Sequence, residues 1–254
     1  MLICHRYTSL GSGFPATRME HKMRIAILSD IHGNIDALNA VTSSAAFLDC
    51  DLYINAGDAV GYYLDPSAVI NKLIEYNFIS VKGNHEELLE QAASDKSLLA
   101  EMTKKYGVGH QICFDQLSKF QLEFLFNLPF NSKIPTPLGN IEVFHGSPLN
   151  ASEYIYPDSD LAEVALQIPQ KCRWLILGNT HWPMIRTIGG TTIINPGSVG
   201  QSRNGSGKAH WAILDTERIS VSFIEEEYES SKLIKQLKLL NAGNPKLWEV
   251  LSPK

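Results

Sequence analysis

The sequence predicts an α/β fold in which two mixed β-sheets stack face to face with helices outside them, an αββα four-layer sandwich. Three observations lead there. In the first third of the chain, short apolar strands alternate with helical stretches, a pattern that requires crossover connections and a largely parallel sheet. In the second half, strands follow one another through hairpins instead. No internal repeat and no linker separates the halves, so both patterns belong to one folded unit.

Ile25, Ala26, Ile27 and Leu28 form an unbroken apolar run, the pattern of a strand buried on both faces. Ser29 and Asp30 end it, and His32 follows. Asn34 is placed to cap a helix that carries Ile35, Leu38, Val41 and Ala45 on one stripe. Asp51–Asn55 is the second strand, with Gly57 and Asp58 at its exit. Asp65-Pro66 reads as an N-cap followed by proline at the first helical position, and Val69, Ile70, Leu73 and Ile74 supply the apolar face. Phe78–Val81 is a third strand, leaving through Gly83-Asn84-His85-Glu86. Glu87–Leu128 reads as helical up to Pro129, with an irregular break over Met102–Gly109 that can reach the strand ends. Asn131–Thr136 and Ile141–Phe144 read as a hairpin ending at His145-Gly146-Ser147. A short helix is expected over Asp158–Gln167, and a strand over Trp174–Leu177 that exits through Gly178-Asn179-Thr180-His181. Ile185–Ile188 and Thr191–Ile194 pair about Gly189-Gly190 and lead into Asn195-Pro196-Gly197-Ser198. Trp211–Leu214 and Ile219–Ile224 are the last strand pair, and a lysine-rich helix starts near Tyr228.

Composition narrows the function. At 254 residues, with 44% hydrophobic and 19% charged residues and a net charge of −5, the chain has the balance of a soluble globular protein. That charge gives no general attraction to nucleic acid or to an anionic membrane, and no apolar run approaches the length of a membrane span. Cys4, Cys50, Cys113 and Cys172 lie far apart and make no C-x-x-C pair, so they read as reduced core thiols in a cytoplasmic protein. Residues 1–22 are rich in Ser, Thr, Gly and Pro without periodicity. They read as a disordered extension, with a single domain over residues 23–254.

One event recurs five times: a short apolar strand ends, and Asp, Asn or His appears beside a glycine. The sets are Asp30/His32, Asp58, Asn84/His85, His145 and Asn179/His181. Open α/β sheets place ligands at the C-terminal ends of their strands. Oxygen and nitrogen donors without cysteine suit Mn, Fe, Co, Ni or Zn. The donors exceed the three or four protein ligands of a single zinc site, so two metals sharing one carboxylate would use them all. Such pairs serve the hydrolysis of phosphate esters, supplying hydroxide at neutral pH and drawing charge from the phosphoryl oxygens.

In this order D-x-H, G-D, G-N-H-E, H-G-S and G-x-T-H resemble the calcineurin-like metallophosphoesterases, from about Met23 to Glu226. Gly57-Asp58-Ala59-Val60-Gly61-Tyr62 with Asp65-Pro66, and Asn195-Pro196-Gly197-Ser198-Val199-Gly200-Gln201 with Arg203, resemble the small prokaryotic branch of phosphodiesterases and diadenosine-tetraphosphatase-like proteins. The resemblance implies a dinuclear centre. Asp30, His32 and His181 would bind one ion, Asp58 would bridge, and Asn84 and His145 would bind the other. His85 would serve the leaving-group oxygen as proton donor. Where the family usually has a further histidine ligand, this chain has Asn179, whose amide oxygen binds more weakly and suits harder ions such as Mn or Mg. Mn is the expected metal, and the expected substrate is a small phosphorylated molecule such as a nucleotide or phosphodiester.

Two other readings compete: a regulatory module holding a single metal, and a protein phosphatase. The latter usually carries GDxVDRG, whereas this chain reads GDAVGYY. Glu86 reads as a charge favourable to a helix N-terminus rather than a ligand, and His145 has the alternative of a hydrogen-bonded core residue. Asn195 and Ser198 either shape a turn or support the phosphate site. Arg203 is preferred to Lys208 as a phosphate contact. His5, His21 and His110 read as incidental, His210 as packing, and Lys232–Lys238 as a solvated helix face. Leu149–Asp160 is a candidate for shaping specificity. An oligomer is compatible with all of this.

Overall fold

In the computed structural model, which describes residues 22–160, 162–240 and 244–253, the first half of the chain alternates strands with helices. It runs β1 (Arg24–Leu28), α1 (Ile35–Ser43), α2 (Ala45–Leu48), β2 (Leu52–Asn55), α3 (Pro66–Glu75) and β3 (Ile79–Ser80). Four helices follow: α4 (Asn84–Ala92), α5 (Lys96–Tyr106), α6 (Gly109–Gln116) and α7 (Lys119–Phe126). The second half runs β4 (Asn131–Ile134), β5 (Asn140–Phe144), α8 (Ala162–Gln167), β6 (Cys172–Ile176), β7 (Pro183–Ile188), β8 (Thr191–Pro196), β9 (Ala209–Asp215) and β10 (Ser220–Glu226). It closes with α9 (Ser231–Leu240) and α10 (Lys246–Glu249).

Both sheets are mixed. The first has the order β10-β9-β1-β2-β3, with β1, β2 and β3 parallel and β9 antiparallel to β1. The second has the order β4-β5-β6-β8-β7, with β5, β6 and β8 parallel and the edge strands antiparallel.

The unbroken apolar run of β1 has a direct physical reason. Successive side chains point to opposite faces, and each face of β1 meets a different layer. Ile25 and Ile27 join Ile54, Ile141, Val143, Trp174, Ile176 and Leu214 in the core between the sheets. Ala26 and Leu28 pack outward with Leu38 and Val41 of α1, Val69 of α3, and Trp211. On the far side, Leu175, Leu177 and Ile193 pack with Val164 of α8. These layers realise the predicted sandwich. Truncating one of its fully buried Leu or Ile side chains to alanine is expected to cost about 2–5 kcal/mol.

Several boundaries differ from the pattern. The helical stretch after Glu87 is four helices, because Asp95 and Ser118 cap new starts with their own side chains and Gly107, at φ 84°, ends α5. The irregular break therefore narrows to residues 107–108, and Met102 is a buried residue inside α5. The third strand pairs only over Ile79–Ser80. Pro66 opens α3 as expected, but Asp65 makes no side-chain cap. The short helix α8 starts at Ala162 rather than Asp158. His210 lies within β9 and faces Asn204 and Ser206 through Nε2, as a packing residue. Cys50, Cys113 and Cys172 are free and buried. Residues 1–21, with Cys4, His5 and His21, lie outside the described residues; Lys22 is exposed and pairs with Glu217. Among the described residues no helix is long and apolar enough to cross a membrane.

Candidate metal centre

The parallel strands of both sheets end at one edge, and the predicted donors leave from those ends. Backbone hydrogen bonds lock the loops to one another. The Asp30 N–H donates to the Gly57 carbonyl at 3.0 Å and the His32 N–H to the Asp58 carbonyl at 2.9 Å, joining the exits of β1 and β2. The Gly178 N–H donates to the His145 carbonyl at 2.7 Å, joining the exits of β5 and β6. The Val199 and Gly200 N–H groups donate to the Ser29 and Asp30 carbonyls, which ties the two sheets together. Asp30, His32, Asp58, Asn179 and His181 all hold positive φ, between 53° and 65°. Non-glycine residues in that region carry strain that concentrates at functional sites.

Each carboxylate is oriented by one oxygen and presents the other. Asp58 Oδ1 accepts the His85 N–H at 2.9 Å, leaving Oδ2 toward the centre. Asp30 Oδ2 accepts the Asn179 N–H at 3.1 Å, and the fully buried Oδ1 has no aligned donor among the described residues. Three imidazoles are oriented by a common device. Nδ1 of His32, His145 and His181 meets the carbonyls of Val60, Ala56 and Gln201 at 3.1, 2.6 and 2.7 Å. A nitrogen facing a carbonyl is the N–H, so each ring, when neutral, turns its Nε2 lone pair inward.

The inward atoms converge. His181 Nε2 lies 3.1 Å from His32 Nε2 and 3.2 Å from Asp30 Oδ1. His145 Nε2 lies 3.2 Å from Asp58 Oδ2 and 3.0 Å from Asn84 Oδ1. Asp30, His32 and His181 make one triad, Asp30, Asp58 and His145 a second, and His32, Asp58 and His85 a third, with the donor atoms of each within 4.8 Å of one another. Facing lone pairs and a buried carboxylate oxygen repel one another unless a proton or a metal cation lies between them. The donor chemistry therefore fits a metal, and the overlapping triads form a binuclear metal site.

The electrostatics agree. Burial works to raise the Asp30 pKa, but the charges of His181 and His145 outweigh it and hold the carboxyl below its usual range. Burial opposes a charge on His145, yet Asp58 and Asp30 push its pKa up to about 10. His145 thus holds a proton that an arriving metal displaces. Burial, reinforced by neighbouring imidazoles, drives His32 and His85 well below the ordinary histidine value, so both rings are neutral.

All the donors predicted from the strand ends lie at this edge. Asn84 opens α4 and faces His145, and His85 Nε2 is 4.0 Å from Asp58 Oδ2. The Asn179 amide donates through Nδ2 to the Glu153 carbonyl at 2.9 Å, which leaves its oxygen as the atom able to coordinate. Arg203 sits near enough to disfavour a charge on His32, whereas Lys208 pairs with Glu227 at 3.2 Å. Asn195 donates to the Gly178 carbonyl and to Thr180, and Ser198 donates to the Asp30 carbonyl at 2.7 Å. Both therefore brace the ligand loops.

Glu86 stands in the first turn of α4, as expected, and is fully buried there, while the reading of His110 is corrected. The Glu86 carboxylate accepts the Asp58, Gly83 and Val60 N–H groups at 2.9, 2.9 and 3.1 Å, bracing the Asp58 loop. Burial, with Asp58 nearby, pushes its pKa up to about 7. His110 is not incidental: it is buried, with Nε2 3.1 Å from His85 Nδ1. The sequence also left unmarked an aromatic wall beside the centre. The Tyr62 ring lies 4.6 Å from His32 and 4.8 Å from His85, and Tyr106 lies 4.8 Å from His85. Tyr62 ends the quoted G-D motif and Tyr106 lies in the Met102–Gly109 stretch expected to reach the strand ends, but nothing in the sequence shows that their rings pack together beside the centre.

Fold and site together define a binuclear, metal-dependent phosphoester hydrolase. The chain belongs to the calcineurin-like phosphoesterase superfamily, whose domain model matches residues 23–218. It is 28% identical over 236 residues to an uncharacterized protein, MJ0912, of Methanocaldococcus jannaschii, an alignment covering 85% of this chain and 92% of the relative. A metallophosphoesterase from Sphaerobacter thermophilus superposes with a TM-score of 0.73 at 27% identity, over 90% of this chain and 98% of that one. A hypothetical protein, PH1004, from Pyrococcus horikoshii OT3 superposes with a TM-score of 0.79 at 22% identity, over 91% and 98%, a likeness of fold.

Proposed function

We propose that this phosphoesterase acts on phosphodiesters or nucleotides, as in the small prokaryotic branch, with Mn as its metal. The observation that carries the substrate class is Tyr62. In GDAVGYY it stands where a protein phosphatase carries the motif's arginine region, and its ring packs edge-on against His32 and beside His85. A phosphoserine or phosphothreonine side chain has no ring to stack on an aromatic surface there. A nucleoside or aryl ester gains a ring to stack on.

Asp30, His32 and His181 would hold one ion, Asp58 would be shared by both, and Asn84 and His145 would hold the second, with Asn179 contributing its amide oxygen. The second set is the more oxygen-rich, which favours a harder ion such as Mn over Fe, Ni, Co or Zn. Bound there, the ions would supply hydroxide at neutral pH and offset charge on the phosphoryl oxygens. This chain's residues do the rest. Arg203 steadies the phosphoryl group from the 195–203 loop. As hydroxide adds to phosphorus and the ester P–O bond breaks, His85 gives its Nε2 proton to the departing oxygen. The cytoplasm is the expected compartment, in keeping with buried free thiols.

The test is hydrolysis of bis-p-nitrophenyl phosphate by the full chain with added Mn, against a chelated control and Asp58→Asn. Metal-dependent turnover lost in the variant supports the reading. A phosphopeptide hydrolysed faster than the diester would replace it with a protein phosphatase. The Asn179 amide, turned toward Glu153, favours one second reading, a regulatory module that keeps a single metal. One ion per chain without turnover on any substrate would establish that reading.

A further inference from the structure

We propose that His110 is a positioning residue for His85: its Nε2–H donates to His85 Nδ1, so that neutral His85 presents Nε2–H, not a lone pair, to the substrate side of the centre. This rests on the proton-donor role proposed above for His85.

The argument begins with the contrast among the buried histidines. His32, His145 and His181 each have Nδ1 against a backbone carbonyl, which makes Nε2 the bare, ligating nitrogen. Among the described residues His85 has no carbonyl hydrogen-bonded at Nδ1. It has the His110 imidazole, at 3.1 Å between Nδ1 and Nε2, with the rings stacked at 10° and 5.0 Å. One of these two nitrogens is the donor. The other end of His110 decides which. Among the described residues no group meets His110 Nδ1 in hydrogen-bonding geometry, and the atom is buried. If His85 donated, neutral His110 would carry its proton on Nδ1 and bury an N–H without a partner. If His110 donates, Nδ1 is only a lone pair without a partner, the milder and commoner deficit. The second arrangement is therefore favoured, and it leaves the His85 proton on Nε2, 4.0 Å from Asp58 Oδ2.

Packing holds the pair in this state. Tyr106 lies edge-on to His85 at 4.8 Å and 5.8 Å from His110, and Tyr62 lies 4.8 Å from His85 and 5.7 Å from Tyr106. Gly109 brings His110 this close: a Cβ there would lie 2.0 Å from the Gly61 carbonyl oxygen, so only glycine lets α6 start against the motif loop. Burial keeps His110 neutral, with its pKa pushed down to about 4 against the pull of the His85 backbone carbonyl. The arrangement separates the histidines of the centre into two kinds: carbonyl-held ligands with bare Nε2, and one imidazole-held donor with Nε2–H.

The decisive experiment is long-range 1H–15N correlation NMR of the full chain labelled with 15N-histidine and loaded with zinc. Expected are His85 and His110 protonated on Nε2, and His32, His145 and His181 protonated on Nδ1. His85 protonated on Nδ1 would overturn the proposal. Kinetics of variants add a second readout. His110→Phe keeps the stacked ring but removes the donor. It should lower kcat on an alkyl phosphodiester about tenfold, the usual size of such supporting contacts. Its KM and metal content should be unchanged, and the loss should be smaller on p-nitrophenyl esters, which need little protonation. His110→Gln restores an N–H and should recover most of the rate. Equal losses on both leaving groups, or no recovery with glutamine, would refute the positioning role. If the wild type hydrolyses no phosphodiester, the substrate reading fails, while the His85 tautomer still decides this proposal.

Discussion

Gly83→Ala offers a sharp test of how the centre is built. A Cβ at residue 83 would lie 2.2 Å from Asp58 Oδ1 and 2.5 Å from the Asp58 backbone nitrogen. Non-bonded heavy atoms need roughly 3.5 Å, so the Asp58 loop must move by about 1 Å. Glu86 prevents that motion cheaply, because its carboxylate is fastened to the Asp58, Val60 and Gly83 N–H groups. The same shift stretches the bond from the His85 N–H to Asp58 Oδ1, now 2.9 Å. Overpacking costs about 1–3 kcal/mol and a weakened charge-assisted bond about 1.5–3 kcal/mol, so a stability loss of about 3 kcal/mol is expected. A carboxylate misplaced by about 1 Å should also cut kcat about a hundredfold. Urea unfolding and diester hydrolysis with Mn measure the two effects. Gly189→Ala is the control: among the described residues a Cβ there meets nothing within 4 Å, and at φ 55° it should cost only about 1–2 kcal/mol with full activity. A Gly83→Ala protein with wild-type stability and kcat would refute the close-packed Asp58 geometry.

Further outcomes can be stated together. Asp58→Asn should lose metal content and turnover in parallel, whereas His85→Asn should lose turnover on a poor leaving group and keep its metal, as read by metal analysis and steady-state kinetics. His110 has a folded pKa near 4, below the ordinary 6.5. Its contribution to stability is therefore full above pH 6.5 and is lost as pH falls toward 4, by about 3 kcal/mol. Urea unfolding of the chelated protein at pH 7 and pH 4 should accordingly show a smaller acid penalty in His110→Phe than in wild type. Removing residues 1–22 should leave the melting temperature and activity unchanged, since the exposed Lys22–Glu217 ion pair that is lost contributes little. A fall of several degrees would place part of the folded unit in that segment.

Much of the centre was legible because chemistry and local structure coincide at strand ends. Asp30, Asp58 and His145 each follow a short apolar run, and such runs expose their next residues at the sheet edge whatever the sheet order. The helical cover was less legible. Asp95, Gly107 and Ser118 break one apolar stretch into separate helices through caps and a positive φ that compete with a continuing pattern.

The sequence by itself determined the layered α/β class, the strand exits and the donor set. Those depend on side-chain periodicity and residue type within a few positions of each other. Only the tertiary structure decided what Glu86 and His110 do. Glu86 becomes a buried brace because three backbone N–H groups from the β2 and β3 exits converge on it. His110 becomes the partner of His85 because Gly109 lets α6 abut the Gly61 carbonyl. The protonated nitrogen of each histidine is set in the same way, by the atom that packing places opposite Nδ1. A sequence pattern records which residues can donate or ligate, but hydrogen-bond polarity is chosen by neighbours brought together across the fold.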